Sequence, residues 1–579
     1  MFYTKGSHSF KFGTLINRYQ LFDETARGYR GTAVFANTAN FMRGIVQNYQ
    51  GLTPGSNTAR NYRFTTMGFY LQDDYRIFSR LTLNLGLRYE FMTQFHEKDG
   101  IQASVRNLAT DSGPTIGVPF KNPTMDNVSP RVGFAWDVMG NGSTAVRGGF
   151  ALLYDLSTYG TGLNVIQPNA QPFSSGSTVL NPTNSPAVFT VPFTFTSANI
   201  GNTMSLFDYN MQQPHLLSYN LTIERQLPFS MALSVAYAGS RGINILGTRD
   251  GNPRIPNGVP SGTACVARPV GQALDLTSMV DGVATACWLA TPTGQPNPNP
   301  FVNTSIPASI SLITGTSDSF YNALQVMVSK RLSRGLQFQS SYTFSRLIDT
   351  PQSEATQVVS SSPVQPTDAF NAATDRAVSA YDITHNWRFN VTYQFPQLAS
   401  AGSFLGKVLN GWQTSSIVSM QGGYPFTINV QANASRSGAF QGLQNLDRPN
   451  LVPGRSIDSI TSGVSTGCAT TTQGQPLGTP TLWFDPCAFT AAAGGFLGNA
   501  GRNILRGPSL TNVDFSIVKN TAVSALGEAG RVEFRTEFFN LFNHANFAMP
   551  VRTAFVSTTG RINSAATSRQ IQFAMKVIF

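Results

Sequence analysis

The residues able to do chemistry in this chain are few, and they are spaced by twos. Arg88 and Glu90 stand at i, i+2, as do Glu533, Arg535 and Glu537; Arg131 and Arg147 flank one tight turn, and Arg388, Asp514 and Lys576 stand singly. Residues two apart share one face of a strand and diverge on a helix, so these charges read as one wall of carboxylates and guanidiniums. Such a wall either contacts a polar solute or closes on itself in salt bridges that hydrate and stiffen it. The five histidines, His8, His96, His215, His385 and His544, are isolated. No Ser-His-Asp set follows from their spacing, and neither CxxC nor HExxH occurs, so no catalytic residue, metal ligand or cofactor is assigned. Cys265 and Cys287 share one long segment rich in Gly and Pro, and Cys468 and Cys487 share another. That arrangement suits two local disulfides in an oxidising compartment, with unpaired small apolar residues as the alternative.

The element that positions the charges is clearest from Phe69 to Phe91. Leu81, Leu83, Leu85, Leu87, Tyr89 and Phe91 occupy the odd positions, and Thr82, Asn84, Gly86, Arg88 and Glu90 the even ones. Period two predicts a strand with one apolar and one polar face. The run before it alternates in the same way, with Phe69, Leu71, Tyr75 and Ile77 apolar and only Asp73 on the wrong face, where a bulge or an interfacial position would accommodate it. Each run matches the 9 to 11 residues that a tilted strand needs to cross a bilayer, so the unit reads as a transmembrane hairpin. An Arg or Lys on the lipid side would cost about 2 to 4 kcal/mol at midplane, which puts the charged face on the wet side.

Composition agrees. Charged residues are 12% of the 579, while Gly (52) and Phe (42) are abundant, a polar, weakly charged, aromatic-rich pattern typical of β structure. No run of about 18 apolar residues predicts a membrane helix, and the mean hydropathy of -0.09 fits a barrel that hides its apolar face by alternation. The net charge of +11 is spread over single Lys and Arg residues, which argues against nucleic acid as a partner. Met1 is followed by FYTKGSHSFKFGT, which has no apolar signal core; either an export signal lies upstream or the chain is a fragment.

The alternating runs predict about fifteen strands, near Ser7–Asn17, Tyr29–Ala36, Arg63–Ile77, Leu81–Met92, Pro130–Val138, Ser143–Tyr154, His215–Leu227, Ser230–Ser240, Asp318–Leu332, Gly335–Arg346, Asp382–Phe395, Trp412–Gln421, Ser509–Lys519, Arg531–Asn543 and Ser568–Phe579. Short connections such as Phe78–Arg80 and Ser333–Arg334 alternate with long ones such as Thr93–Ser129 and Gly422–Pro508. Short periplasmic turns facing long external loops are the organisation of an outer-membrane barrel. The fold expected is therefore all-β: an antiparallel transmembrane barrel with lipid and lipopolysaccharide outside it. Its Pro-, Gly-, Ser-, Thr- and Asn-rich loops should be extended or partly ordered rather than helical. Loop stretches NLDRPNLVPG, WFDPCAF and GNAGRN combine aromatics with Asp, Arg and Asn and suit either ligand contact or loop packing. The last strand, RQIQFAMKVIF, sets Ile571, Phe573, Met575, Val577 and Phe579 on one face. It resembles the terminal-aromatic signature by which the barrel-insertion machinery recognises outer-membrane proteins.

The stretches FYLQDDYRIFSRLTLNLGLRYE, SPRVGFAWD, SYNLTIERQLP, SFYNALQVMVSKRLSRGLQFQSSYTFSR, RAVSAYDITHNWRFNVTYQFP and RVEFRTEFFNLFNHANF, with the terminal Phe579, resemble TonB-dependent transporters. Within these they resemble specifically the Oar-like group of acidobacterial type, whose barrels follow a carboxypeptidase-regulatory-like domain and a plug. The resemblance implies energised uptake of a siderophore, cobalamin, glycan or peptide. It makes residues 1–579 one partial barrel domain of a 22-strand wall that lacks the plug, the TonB box and the first strands. Contact with the TonB complex would run through that missing region. A passive structural or adhesive barrel and an outer-membrane hydrolase are the alternatives.

Overall fold

The computed structural model describes residues 1–24, 30–35, 37–156, 159, 163, 170–180, 203–273, 275–276, 279–280, 283–292, 298–351, 366–400, 402–430, 434–437, 447–523, 527 and 530–579. Its dominant feature is one sheet of 18 strands. Fifteen of these form an up-and-down wall: β1 (Phe2–Lys5), β2 (His8–Glu24), β3 (Ala59–Phe78), β4 (Leu81–Met92), β5 (Val128–Asp137), β6 (Thr144–Tyr154), β7 (His215–Leu227), β8 (Met231–Asp250), β9 (Ser309–Ser333), β10 (Leu336–Asp349), β11 (His385–Gln394), β12 (Trp412–Gln421), β13 (Leu510–Ala522), β14 (Arg531–Phe539) and β15 (Gln570–Ile578). Each pairs antiparallel with the next in sequence. Among the described residues no ladder joins β15 to β1, so the wall has two open edges.

The boundaries of β4, β7 and β12 are those the alternation predicts. The segment Tyr29–Ala36 differs. Only Thr32–Val34 is a strand, and it lies in a small separate sheet with Asn48–Leu52 and Gly176–Leu180; Tyr29 and Ala36 lie outside the described residues. The place expected for it is closed by direct pairing of β2 with β3, and the fifteenth wall strand is β1 on the other side of β2, a strand too short to show a period, held to β2 across Gly6 in a left-handed turn (φ +61°). Strands β3, β8 and β9 run to 20, 20 and 25 residues, well past what a bilayer needs, and carry the sheet beyond the membrane. The turn between β9 and β10 is Arg334–Gly335, both at positive φ (50° and 78°), the two-residue geometry that matches strand twist. A Cβ on Gly335 would stand 2.2 Å from the carbonyl oxygen of Gln394.

The registers keep one side of the wall apolar from strand to strand. Leu83 lies opposite Phe134, Phe134 opposite Gly148, Gly148 opposite Leu221, Leu221 opposite Tyr237, Tyr237 opposite Leu324 and Leu324 opposite Phe344. Of these, Leu221, Tyr237, Leu324 and Phe344 are exposed, as are Leu71, Leu87, Val132, Phe150, Ile223 and Phe573. A contiguous apolar face of that extent is untenable in water and fits a lipid surround.

The hydrophobic core sits in the external loops instead. Tyr62, Met92, Phe95, Phe120, Tyr159, Phe207, Met211 and Ile313 form one cluster where strand ends meet loops 93–127 and 155–214. Phe426, Ile428, Ile460, Phe484, Phe489 and Leu505 form another within loop 422–509. The loops are therefore ordered in part, as expected, but not free of helix. They include short helices at Thr38–Met42 and Ile457–Thr461, the latter closed by a Ser456–Ser459 capping box, and the short strand Thr203–Phe207, which joins β9 in parallel.

Candidate functional site

On the inner face of the wall the ionisable residues are largely partnered. Arg88 and Glu90, two apart on β4, form an ion pair with each other. On β14, Arg535 bridges Glu533 at 2.9 Å and Glu537 at 3.5 Å. Lys576 faces Glu533 across the β14–β15 ladder, but the Glu533 carboxylate is turned to Arg535. Arg388 donates to the Gln421 side-chain oxygen at 2.6 Å. Asp514 accepts from the Asn512 side chain at 2.8 Å and from the backbone N–H of Asn540 at 2.9 Å, anchoring the chain as it leaves β14. Arg147 reaches Glu224 on β7 at 3.4 Å.

Arg131, like Arg388 and Lys576, enters no ion pair among the described residues. It lies across from Gly86 on β4, at a recess of about 260 Å³ lined by Gln72, Asn84, Gly86, Gly149 and Asn220. The glycines leave the floor at backbone level, and the rim offers amide donors and acceptors beside one guanidinium. That chemistry suits a carboxylate, a phosphate or a hydroxyl-rich solute.

Two polar clusters escaped sequence reasoning because each spans strands distant in sequence. Lys11 on β2 pairs with Asp74 on β3 at 2.5 Å, and Asp74 also accepts from Gln72 and Asn84. Asp73 keeps the outward position that the alternation gave it. Instead of a bulge it has a partner: His8 Nδ1 lies 2.7 Å from its carboxylate, and the imidazole stacks on Tyr75 with centroids 4.2 Å apart. His8 is one of the histidines that looked isolated in sequence.

The external loops hold the most buried polar chemistry. Arg502 pairs with Asp349, both almost fully buried (3% and 4% exposed), and Arg448 with Asp375 at 2.6 Å (7% and 0%). Arg506 pairs with Asp382. All three arginines come from loop 422–509, and all three aspartates lie between the end of β10 and the start of β11. The stretches NLDRPNLVPG, WFDPCAF and GNAGRN are used for packing: they supply Arg448, Arg502 and Asp485, the last bound to Arg455 at 2.7 Å; Asn445 and Leu446 lie outside the described residues. Asp447 accepts from the Ser435 N–H and hydroxyl, both at 2.8 Å, while burial pushes its carboxyl above the usual range. Loop 251–308 joins the same body through the Trp288 N–H to the Gly495 carbonyl at 2.9 Å.

Disulfides close two of these loops from within. Cys265 is bonded to Cys287 and Cys468 to Cys487, and closures of this length restrict the unfolded chain by about 3 kcal/mol. Gly258 exchanges two backbone hydrogen bonds with Cys287, and a Cβ there would meet the Cys265 sulfur at 2.4 Å. Among the described residues no group of three or more His, Cys, Asp or Glu is placed to hold a metal ion.

An antiparallel wall, apolar outside and polar inside, with turns at one end and a built loop cap at the other, defines an outer-membrane barrel. The chain belongs to the outer membrane beta-barrel domain family, whose model matches residues 1–572. No curated protein matches it. Among solved structures it is similar to the outer membrane transporter YddB from Escherichia coli, at 10% identity and a TM-score of 0.48 over 99% of this chain and 52% of that one. It is also similar to the pyoverdine receptor FpvA from Pseudomonas aeruginosa, bound to pyoverdine, at 10% identity and 0.41 over 99% and 59%. The FrpB iron transporter from Neisseria meningitidis stands at 9% identity and 0.42 over 99% and 52%. The chain thus spans roughly half the length of these structures.

Proposed function

We propose that this chain is the barrel portion of a TonB-dependent receptor that takes up a large or scarce solute across the outer membrane. Residues 1–579 act in this reading as one wall domain, and coupling to the TonB complex runs through a plug that works with this wall. The observation that carries the reading is the pairing of a polar inner face with a cap of external loops ordered by buried ion pairs. A passive adhesin has use for the loops and for a stiffened wall but not for the Arg131 recess inside. Assignment to the Oar-like group, with its carboxypeptidase-regulatory-like domain, rests on the sequence stretches from Phe69 to the terminal Phe579.

The test is accumulation in cells carrying the intact protein, with ferric siderophores, cobalamin, oligosaccharides and peptides as cargo. For the true cargo, a protonophore should lower uptake at least tenfold while leaving surface binding in place. Uptake that ignores the protonophore would establish a passive pore. Binding without uptake of any cargo would favour an adhesive surface protein.

A further inference from the structure

We infer that the periplasmic turns of β3–β10 form a basic docking arc for peptidoglycan, the carboxylate-bearing polymer of the cell wall. Such an anchoring role is separate from uptake and independent of the cargo. Arg76 and Arg80 stand at the turn from β3 to β4, Arg225 at the turn from β7 to β8, and Arg331 and Arg334 at the turn from β9 to β10. All are exposed, and none enters an ion pair among the described residues. The arginines of loop 422–509 are arranged differently, since Arg448, Arg455, Arg502 and Arg506 each hold an aspartate. Near the turns the carboxylates are already engaged. Asp137 accepts from the Gly140 and Gly142 N–H groups, both at 2.9 Å, Glu224 faces Arg147 and Asp74 holds Lys11.

The arc is fixed before anything binds. The Asp137 N–H donates to the Arg80 carbonyl at 2.8 Å, the Gln226 N–H to the Ser143 carbonyl at 2.8 Å and the Arg331 N–H to the Ser230 carbonyl at 3.0 Å, so each turn is tied to the next. Lys330 Nζ adds a bond to the Phe229 carbonyl at 2.5 Å. Arg80 lies along the next turn, where a Cβ on Gly140 would stand 2.8 Å from its Cδ. Turns recur at every second strand, so Arg80 and Arg334 are separated by six strand spacings, about 29 Å along the rim. Guanidiniums strung out in this way suit a polymer with repeated carboxylates better than one small anion, and their planar forks match the carboxylate group.

Strand parity argues that these charges do not serve the surrounding lipid. Phe78 and Phe229, 67% and 78% exposed, mark the lower edge of the lipid-facing band. Arg76 has the parity of inner-face Gln72 and Asp74, Arg331 the parity opposite to lipid-facing Leu324, and Arg80 and Arg334 belong to the turns themselves. Arg225 alone shares the lipid-facing parity of Ile223. The other arginines are therefore placed at the lumen mouth or below it, on the periplasmic side. The anionic polymer beneath an outer membrane is peptidoglycan, whose stem peptides end in free carboxylates.

The test is co-sedimentation of the purified protein, in detergent and in phosphatidylglycerol-containing nanodiscs, with peptidoglycan sacculi that are either intact or amidated at their carboxyl groups. Heat-modifiable mobility on gels identifies the folded fraction, so that only folded barrel is compared. Wild type should pellet with intact sacculi about tenfold more than with amidated ones, and raised salt should weaken it, because the contacts are exposed and act together. Arg80→Gln with Arg225→Gln and Arg334→Gln should lower pelleting to the level of amidated sacculi, whereas Lys at the same three positions should keep most of it. Gln at the exposed external residues Arg43, Arg241 and Arg346 removes the same charge and should change nothing. Pelleting unchanged in the triple turn variant, or lost equally in the external one, overturns the arc. Equal pelleting with amidated sacculi overturns carboxylate recognition, and loss of pelleting in the nanodiscs assigns the arginines to lipid headgroups and overturns peptidoglycan as the partner.

Discussion

Arg502→Ala is expected to release loop 422–509 from the wall while leaving the strands paired. The substitution leaves Asp349, which is 4% exposed, as a buried carboxylate without its counter-charge. Breaking one side of a buried pair costs about 3 to 5 kcal/mol, so local opening should become roughly a hundred to several thousand times more frequent. Hydrogen exchange in residues 422–509 and 350–384 reads this directly. Arg147→Ala breaks a pair that is 59% and 42% exposed, and should change exchange by less than about 1 kcal/mol. Arg502→Met combined with Asp349→Leu should recover most of the protection, because two matched apolar groups need no counter-charge. Unchanged exchange in Arg502→Ala would mean that the cap is held by its apolar clusters and the Arg448–Asp375 and Arg506–Asp382 pairs without it.

The second large effect is expected at the terminus. Phe579 is 90% exposed and lies one residue beyond β15, so its removal takes little packing from the wall. Phe573, by contrast, stacks on Phe534 with centroids 6.4 Å apart. Phe579→Ala should nevertheless lower the amount of heat-modifiable, surface-exposed barrel several-fold more than Phe573→Ala. Gln572→Ala, on the inner face opposite Glu537, should leave it unchanged. Equal losses for the two phenylalanines would make Phe579 one more wall residue, worth about 1.5 to 3 kcal/mol of burial at most.

The wall was legible in sequence because its signal is local and periodic. In β4 every second residue from Leu81 is apolar, and the turns at Phe78–Arg80 and Ser333–Arg334 fix where the period restarts. The extensions of β3, β8 and β9 were not legible. Past the membrane both faces of these strands are covered by loops, so on β9 the consecutive residues Leu312, Ile313 and Thr314 are all buried, and alternation is lost. Tyr29–Ala36 alternates, yet Thr32–Val34 within it pairs with the loop strand Asn48–Leu52, and local periodicity cannot choose between sheets. The charges at i, i+2 did share the inner face, but partners such as Gln421 for Arg388 or Lys11 for Asp74 depend on strand order and register. The Arg–Asp clasp joins residues 73 to 153 positions apart, and no local pattern reports such a pair.

The central claim is that the apolar side of this wall faces lipid, and β4 tests it most directly. All four cysteines are held in disulfides, so single cysteines at positions 83 to 88 can be spin-labelled one at a time in the membrane-inserted protein. Labels at Leu83, Leu85 and Leu87 should be relaxed by oxygen dissolved in the lipid, and labels at Asn84, Gly86 and Arg88 by a water-soluble nickel chelate. A two-residue period in that ratio is the predicted result; uniform access to the chelate at all six positions would contradict the membrane barrel.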